Sequence, residues 1–416
     1  MDDLLLLTHR IPFPPNKGDK VRSFHLLRHL AQHYRVWLGT FVDDPDDWRH
    51  VDEVRRLCAE VYCAPLDPRR ARLWSVRGLA SGEPLTLPYY RHAGLQAWVD
   101  RVVAEQRIER ALAFSSAMAQ YVQNHPALRR VMDFVDVDSA KWAQYADGAS
   151  WPLSWIYRRE SQRLLAFERA TAQAFTASVF VTAEEAALFR RLAPEVPAEK
   201  VVAISNGVDT DYFSPDRNYP NPYPAGERAL VFTGAMDYWA NVDAVDWFAR
   251  TVFPEIHRAA PDSRFYIVGA RPTTAVRQLA TLPSVRVTGS VPDVRPYLAH
   301  GEFSVAPLRI ARGVQNKVLE AMAMGKSVLT TAAAMEGIGA SPPFDSPSPA
   351  FPPQEGNRET VEGITTADDP GELVQRALML LADFAETTRR GRSNREWVLR
   401  HYDWDRNLGR ILPVLN

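Results

Sequence analysis

The sequence predicts an α/β protein of two doubly wound domains, and three observations carry that expectation. The chain has 416 residues, more than one hydrophobic core usually supports. Short apolar runs alternate with amphipathic stretches of helical period, the pattern of parallel strands and their crossover helices. A stretch rich in Asn and Pro, residues 205–224, then interrupts the series near its middle and reads as a linker.

Residues 4–8 form the first apolar run, followed by a helix over about 20–33 and a strand over 36–41. Further strands are expected at 111–114, 131–134 and 178–182, completing an N-terminal domain over 1–205. After a linker at 206–225, strands at 229–233, 265–268, 285–287, 303–306 and 327–331 build a C-terminal domain over 226–395. A helix over about 314–324 ends at Gly325, the residue type that leaves a helix through the left-handed region. Residues 341–356 hold six prolines and read as an irregular surface loop. From 370 onward the pattern is helical. Trp397, Leu399, Tyr402, Trp404 and Leu408 are spaced to dock on an apolar surface, so 396–416 is expected to pack back on the N-terminal domain.

Composition narrows the function classes. Apolar residues make up 46% and charged residues 24%, and 49 basic against 50 acidic residues leave a net charge of -1. That is a folded protein without a global field for polyanions, so no nucleic-acid partner is expected. Cys58 and Cys63 are too few for a disulfide framework and lack the partners of a zinc site, which suits a cytoplasmic setting. The opening apolar run is too short for a signal peptide, and no run of about 18 apolar residues follows.

Ligands of open parallel sheets bind beyond the carboxyl ends of the strands, and two segments suit that position. The first runs from His9 through Lys17, Gly18 and Asp19 into a helix carrying Arg22. It matches neither G-x-G-x-x-G nor the Walker pattern, so classical NAD and ATP phosphate motifs are absent there. In the second, the strand at 303–306 leads through Arg309, Arg312 and Gly313 into a helix with Lys317 and Glu320 three apart on one face. Lys317 would neutralise phosphate oxygens beside the helix N-terminus, and Glu320, ionised at pH 7, would accept from two sugar hydroxyls. The alternative is an exposed i, i+3 ion pair.

Several runs together resemble the GT-B glycosyltransferases of family 4 (group 1). They are Val305–Arg309, Gly313, Lys317, Glu320-Ala321-Met322-Ala323, Gly325 and Glu336-Gly337-Ile338, with Asn206-Gly207-Val208-Asp209, Phe232–Met236 and Ile267–Ala270. Pro12–Lys20, Arg22-Ser23-Phe24 and Asp133–Ser139 further resemble the sugar transferases associated with exosortase-type exopolysaccharide loci. The resemblance implies two Rossmann-like domains facing across a cleft and retaining transfer of a hexosyl unit from UDP- or GDP-sugar. The acceptor would be a saccharide or a polyprenyl-linked one, and no other cofactor is implied. Glu320 inherits a donor-ribose contact, and Gly234, Gly269, Arg312, Gly313, Val314, Gln315 and Asn316 fall at the donor. Lys17, Gly18, Asp19, Arg22, Asp136, Asp138 and Ser139 fall on the acceptor side.

Two departures stand out. Arg312 occupies the position where the family usually carries a second glutamate for sugar hydroxyls. The basic pair that often follows the first C-domain strand is replaced by Ala235 and Asp237–Asn241. Lys317 and Arg271 are therefore expected to supply charge to the diphosphate, with the leaving phosphate itself taking the acceptor proton. Asp136-Val137-Asp138 has the form of a metal-binding pair, but it lies in the domain opposite the nucleotide, and no metal is expected.

Two segments, 68–77 and 151–159 with Arg163, mix arginines with tryptophans. They read either as a peripheral contact with anionic lipid or as helices burying their tryptophans. Competing functional readings are a nucleotide-sugar epimerase on the same scaffold and a non-catalytic nucleotide-sugar-binding protein.

Overall fold

The computed structural model describes residues 1–15, 18–311, 313–339 and 361–416. Lys17, Arg312 and the expected proline-rich loop at 341–356 lie outside them. The described residues form two compact units, 1–205 with 405–416 and 206–339 with 361–404. Position 396, expected at a domain border, falls inside the continuous Phe384–His401 helix of the second unit.

The first unit is a seven-stranded parallel sheet of order β3-β2-β1-β4-β5-β6-β7. Its strands are β1 (Asp2–Thr8), β2 (Tyr34–Val42), β3 (Glu60–Pro65), β4 (Arg110–Phe114), β5 (Arg129–Val135), β6 (Ala177–Phe180) and β7 (Val201–Ala203). Leu4 to Leu7 of β1 are fully buried, as a continuous apolar run must be when helices cover both sheet faces. The sequence pattern omits β3 and β7, the two edges. β3 is only half-buried and β7 spans three residues, so neither carries a long apolar run. A buried ion pair ties the Gly18–Leu30 helix to β5: Arg22 Nε donates to Asp133 Oδ2 at 3.0 Å, and Arg22 Nη1 donates to the Ile204 carbonyl at 3.0 Å.

The second unit is a six-stranded parallel sheet of order β10-β9-β8-β11-β12-β13. Its strands are β8 (Arg228–Thr233), β9 (Ser263–Val268), β10 (Val285–Gly289), β11 (Phe303–Ala306), β12 (Val328–Thr330) and β13 (Ile364–Thr366). Strand order reverses between β8 and β11, which makes their carboxyl ends the switch point where such sheets take ligands. The Asn316–Ala323 helix follows β11 and packs against the Phe384–His401 helix. Their contact is backbone to backbone: a Cβ on Gly391 would lie 2.1 Å from the Gly325 carbonyl oxygen. Asn394 Nδ2 donates to the Lys326 and Gly363 carbonyls at 2.8 and 3.0 Å, and Arg395 donates to the Phe213 carbonyl at 3.0 Å.

Candidate functional site

At the switch point of the second unit, Gly234 follows β8 and Gly269 follows β9. The two glycines are in backbone contact, because a Cβ on Gly269 would fall 1.7 Å from the Gly234 carbonyl oxygen. A Cβ on Gly234 would meet Asn241 Nδ2 at 2.8 Å and Lys317 Cε at 3.5 Å. Lys317 Nζ donates to Asn241 Oδ1 at 2.9 Å and lies 5.5 Å from the centroid of the Phe232 ring. Asn241 is itself fixed by donating to the Ala235 carbonyl at 2.9 Å. The Thr233 hydroxyl, buried at the same strand end, pairs with no described residue.

Gly313 turns the chain with φ of 63°, and Gln315 stands extended as the N-cap, with no side-chain cap on the helix. The helix therefore begins at Asn316, two residues later than the periodicity suggests. This leaves Lys317 in its first turn beside uncapped N–H groups and the positive end of the dipole. Asn316 Oδ1 accepts from Asn206 Nδ2 at 3.3 Å. Val314 is half-buried and packs on the unit's hydrophobic core.

Both titratable groups of this helix are shifted toward neutrality. Burial raises the Glu320 carboxyl to about 7 despite the opposing pull of Lys317. Burial likewise lowers Lys317 to about 8, with Glu320 pulling the other way. Burial thus works against the ionised Glu320 expected from sequence, with Lys317 opposing it. A diphosphate bound at Lys317, as the resemblance implies, would need the ammonium charged, and ribose hydroxyls at Glu320 would need the carboxyl ionised. Affinity for UDP or GDP should thus rise as pH increases through about 7 and fall through about 8. Calorimetric titrations across the two limbs check this. Glu320→Gln should remove the acid limb, and Lys317→Arg should move the alkaline limb upward because a guanidinium stays charged.

Arg271 is paired with Asp237. Its Nε lies 2.7 Å from Asp237 Oδ2, both side chains are exposed, and its backbone φ is 53°. Asn241 is paired with Lys317. The Asp237–Asn241 stretch attracts notice in the sequence only for its missing basic pair, and nothing there signals that Asn241 will hold Lys317 from 76 positions away.

In the first unit the acceptor-side candidates separate into three groups. Asp19 lies 3.2 Å from His9 Nε2 and also pairs with Arg10. Burial would raise this carboxyl, but His9 and Arg10 hold it well below the usual range. Gly18 opens the helix, with no described residue within 4 Å of where a Cβ would stand. Arg22 is committed to Asp133, deep in the unit. The third group lies beyond β4 and β5, where Ser115 and Val135 both adopt positive φ, 74° and 69°, and such strained backbone concentrates at functional sites. Lys141 Nζ sits between Asp136 Oδ2 at 2.8 Å and Asp138 Oδ1 at 3.2 Å, so an ammonium occupies the space between the two carboxylates.

Ser139 donates through its N–H and its hydroxyl to Glu168, at 3.2 and 2.5 Å. Burial, helped by Asp138, pushes Glu168 up to about 8. Neither Lys141 nor Glu168 is legible as a site residue in the sequence; both are identified only once the fold brings them to Asp138 and Ser139. A carboxyl raised in the folded state stabilises fully below its ordinary range, and that contribution is lost as pH rises through about 8. Glu168→Gln, isosteric with the protonated acid, should unfold within about 1 kcal/mol of the parent near pH 5. Its stability should then fall less steeply toward pH 8, as urea melts at a series of pH values will show.

Residues 227–383, which include Gly234, Gly269, Lys317 and Glu320, match the family model described as Glycosyl transferases group 1. No curated protein matches the sequence. Similar solved structures include sucrose-phosphate synthase from Thermosynechococcus elongatus, at 15% identity over 99% of this chain and 97% of that one, TM-score 0.68. HepE from Anabaena in complex with UDP is 14% identical over 99% and 98% of the two chains, TM-score 0.63. WaaG, a glycosyltransferase involved in lipopolysaccharide biosynthesis, is 17% identical over 99% of each chain, TM-score 0.64. At such identities the likeness establishes the fold, the GT-B type with its two parallel-sheet α/β units. The described residues of the family match fall within the second unit.

Proposed function

We propose that the chain is a retaining, metal-independent glycosyltransferase that moves a hexosyl unit from a UDP- or GDP-sugar to a saccharide or polyprenyl-linked acceptor in exopolysaccharide synthesis. The observation that carries this reading is the meeting of Lys317, Gly234, Gly269 and an uncapped helix start at the switch point of a domain matching the group 1 model. The UDP bound to HepE supports a uridine donor. In this reading Lys317 and the N–H groups of the first turn stabilise the departing diphosphate, the largest protein contribution to such a transfer. Glu320 accepts from the ribose hydroxyls, and Gly234 and Gly269 let the phosphates approach the backbone. The leaving phosphate takes the acceptor proton, so no side-chain base is needed. The polar group around Asp136, Asp138 and Ser139 serves acceptor hydroxyls.

A thermal-shift panel of UDP, GDP, ADP and their sugars tests the donor, since a ligand bound only by the native state raises apparent stability. Incubation of the stabilising sugar with and without saccharide acceptors, read by NMR of the anomeric proton, tests the reaction. The reading expects a product that keeps the donor's anomeric configuration. An isomerised sugar formed without acceptor, or tight binding with no turnover on any acceptor, overturns it.

A further inference from the structure

In the first unit, large apolar side chains stand in solvent on three neighbouring elements. The Pro68–Ser75 and Arg77–Ser81 helices, with Val76 between them, expose Leu73 (75%), Trp74, Val76 and Leu79, and the Leu153–Ala174 helix and the residues just before it expose Trp151 (81%), Leu153 and Trp155 (56%). Burial of these tryptophans, the alternative read from the sequence, does not occur. The elements are tied together: Arg159 donates to the Gly78 and Glu83 carbonyls at 2.6 and 3.2 Å, and Glu160 accepts from the Thr86 N–H at 3.0 Å.

The charge around this apolar surface is predominantly basic, with Asp67 and Glu83 at its border. Arg69, Arg70, Arg72, Arg77, Arg158 and Arg163 are all exposed, and residues 68–81 contain no acid. Arg69, Arg72, Arg158 and Arg163 have no carboxylate partner among the described residues, whereas Arg70 reaches Asp67 at 3.6 Å. Arg77 lies over the Trp74 ring, 3.4 Å from its centroid. On a chain of net charge -1, this concentration of unpaired cations around exposed indoles is local. Indole and leucine side chains partition into the headgroup boundary of a bilayer while arginines pair with lipid phosphates. No described helix is long and apolar enough to cross a membrane, so the contact would be at the surface.

We propose that this face of the first unit docks on an anionic lipid bilayer. Sedimentation with vesicles of phosphatidylcholine and phosphatidylglycerol, against vesicles of phosphatidylcholine alone, tests it without any sugar donor, so the outcome is independent of the transfer reaction. Binding to the anionic vesicles is expected to exceed binding to the neutral ones by about tenfold and to weaken with salt. Two variants, Trp74→Ala/Trp151→Ala/Trp155→Ala and Arg69→Glu/Arg72→Glu/Arg158→Glu, should each lose most of that binding with an unchanged thermal melt, because the altered side chains are exposed. Absence of binding at low salt, or unchanged binding by both variants, overturns the proposal. A dimer in light scattering that the tryptophan variant abolishes, with no vesicle binding by the parent, also overturns it and assigns the face to a second copy of the chain.

Discussion

Lys317→Ala should weaken UDP or GDP binding about 10- to 100-fold, the loss of one charge-assisted hydrogen bond to phosphate at roughly 1.5–3 kcal/mol. Turnover should fall further, by about 10²- to 10³-fold, because charge on the diphosphate grows as the sugar leaves. The fold should survive: Asn241 keeps its bond to the Ala235 carbonyl, and the helix keeps Val318, Leu319 and Met322 in the core. Calorimetry with the nucleotide and a melt of the same sample separate the two effects. If Lys317 and Glu320 were merely an i, i+3 pair, the substitution would shift stability by a few tenths of a kcal/mol and leave nucleotide affinity alone.

Gly269→Ala should destabilise the second unit by about 4 kcal/mol or more, in the range reserved for severe steric conflict. The new Cβ would stand 1.7 Å from the Gly234 carbonyl oxygen and 2.8 Å from its carbon. Neither is the free end of a flexible side chain that can swing away. The φ of 156° at Gly269 adds strain for any residue with a Cβ. Gly18→Ala is the control, since no described residue lies within 4 Å of its Cβ position, and it should change stability by about 0.5 kcal/mol at most. Urea melts of both variants decide the matter; a Gly269→Ala protein as stable as the parent would mean that β8 and β9 end farther apart than described.

These residues also mark how far sequence reasoning reaches. Strands such as β1 and β8 are legible because burial on both faces demands long apolar runs. The short edge strands β3, β7 and β13 escape because solvent on one side, or a length of three residues, removes that demand. Lys317 and Glu320 are legible as candidates through the family resemblance of the helix that follows β11, since their spacing alone reads equally as an i, i+3 ion pair. Their protonation is not, since it depends on burial that only the folded unit imposes. Asn241 and Glu168 are invisible for a related reason. Each acts across dozens of residues, on Lys317 and on Ser116 and Ser139, and no local pattern announces such a pairing. Arg271 shows the converse, a residue in a suggestive position whose charge is already matched by its neighbour Asp237.

The interlock of Gly325 with Gly391 separates two kinds of border. The family match ends at residue 383, one position before the helix whose glycine presses on the turn after Glu320. Cutting the chain where the match stops would remove that helix, with Asn394 and Arg395 and their bonds to the Lys326 and Phe213 carbonyls. A chimaera that exchanges this unit between relatives would therefore have to carry residues 384–401, and the segment around Phe213 that Arg395 holds, along with 227–383.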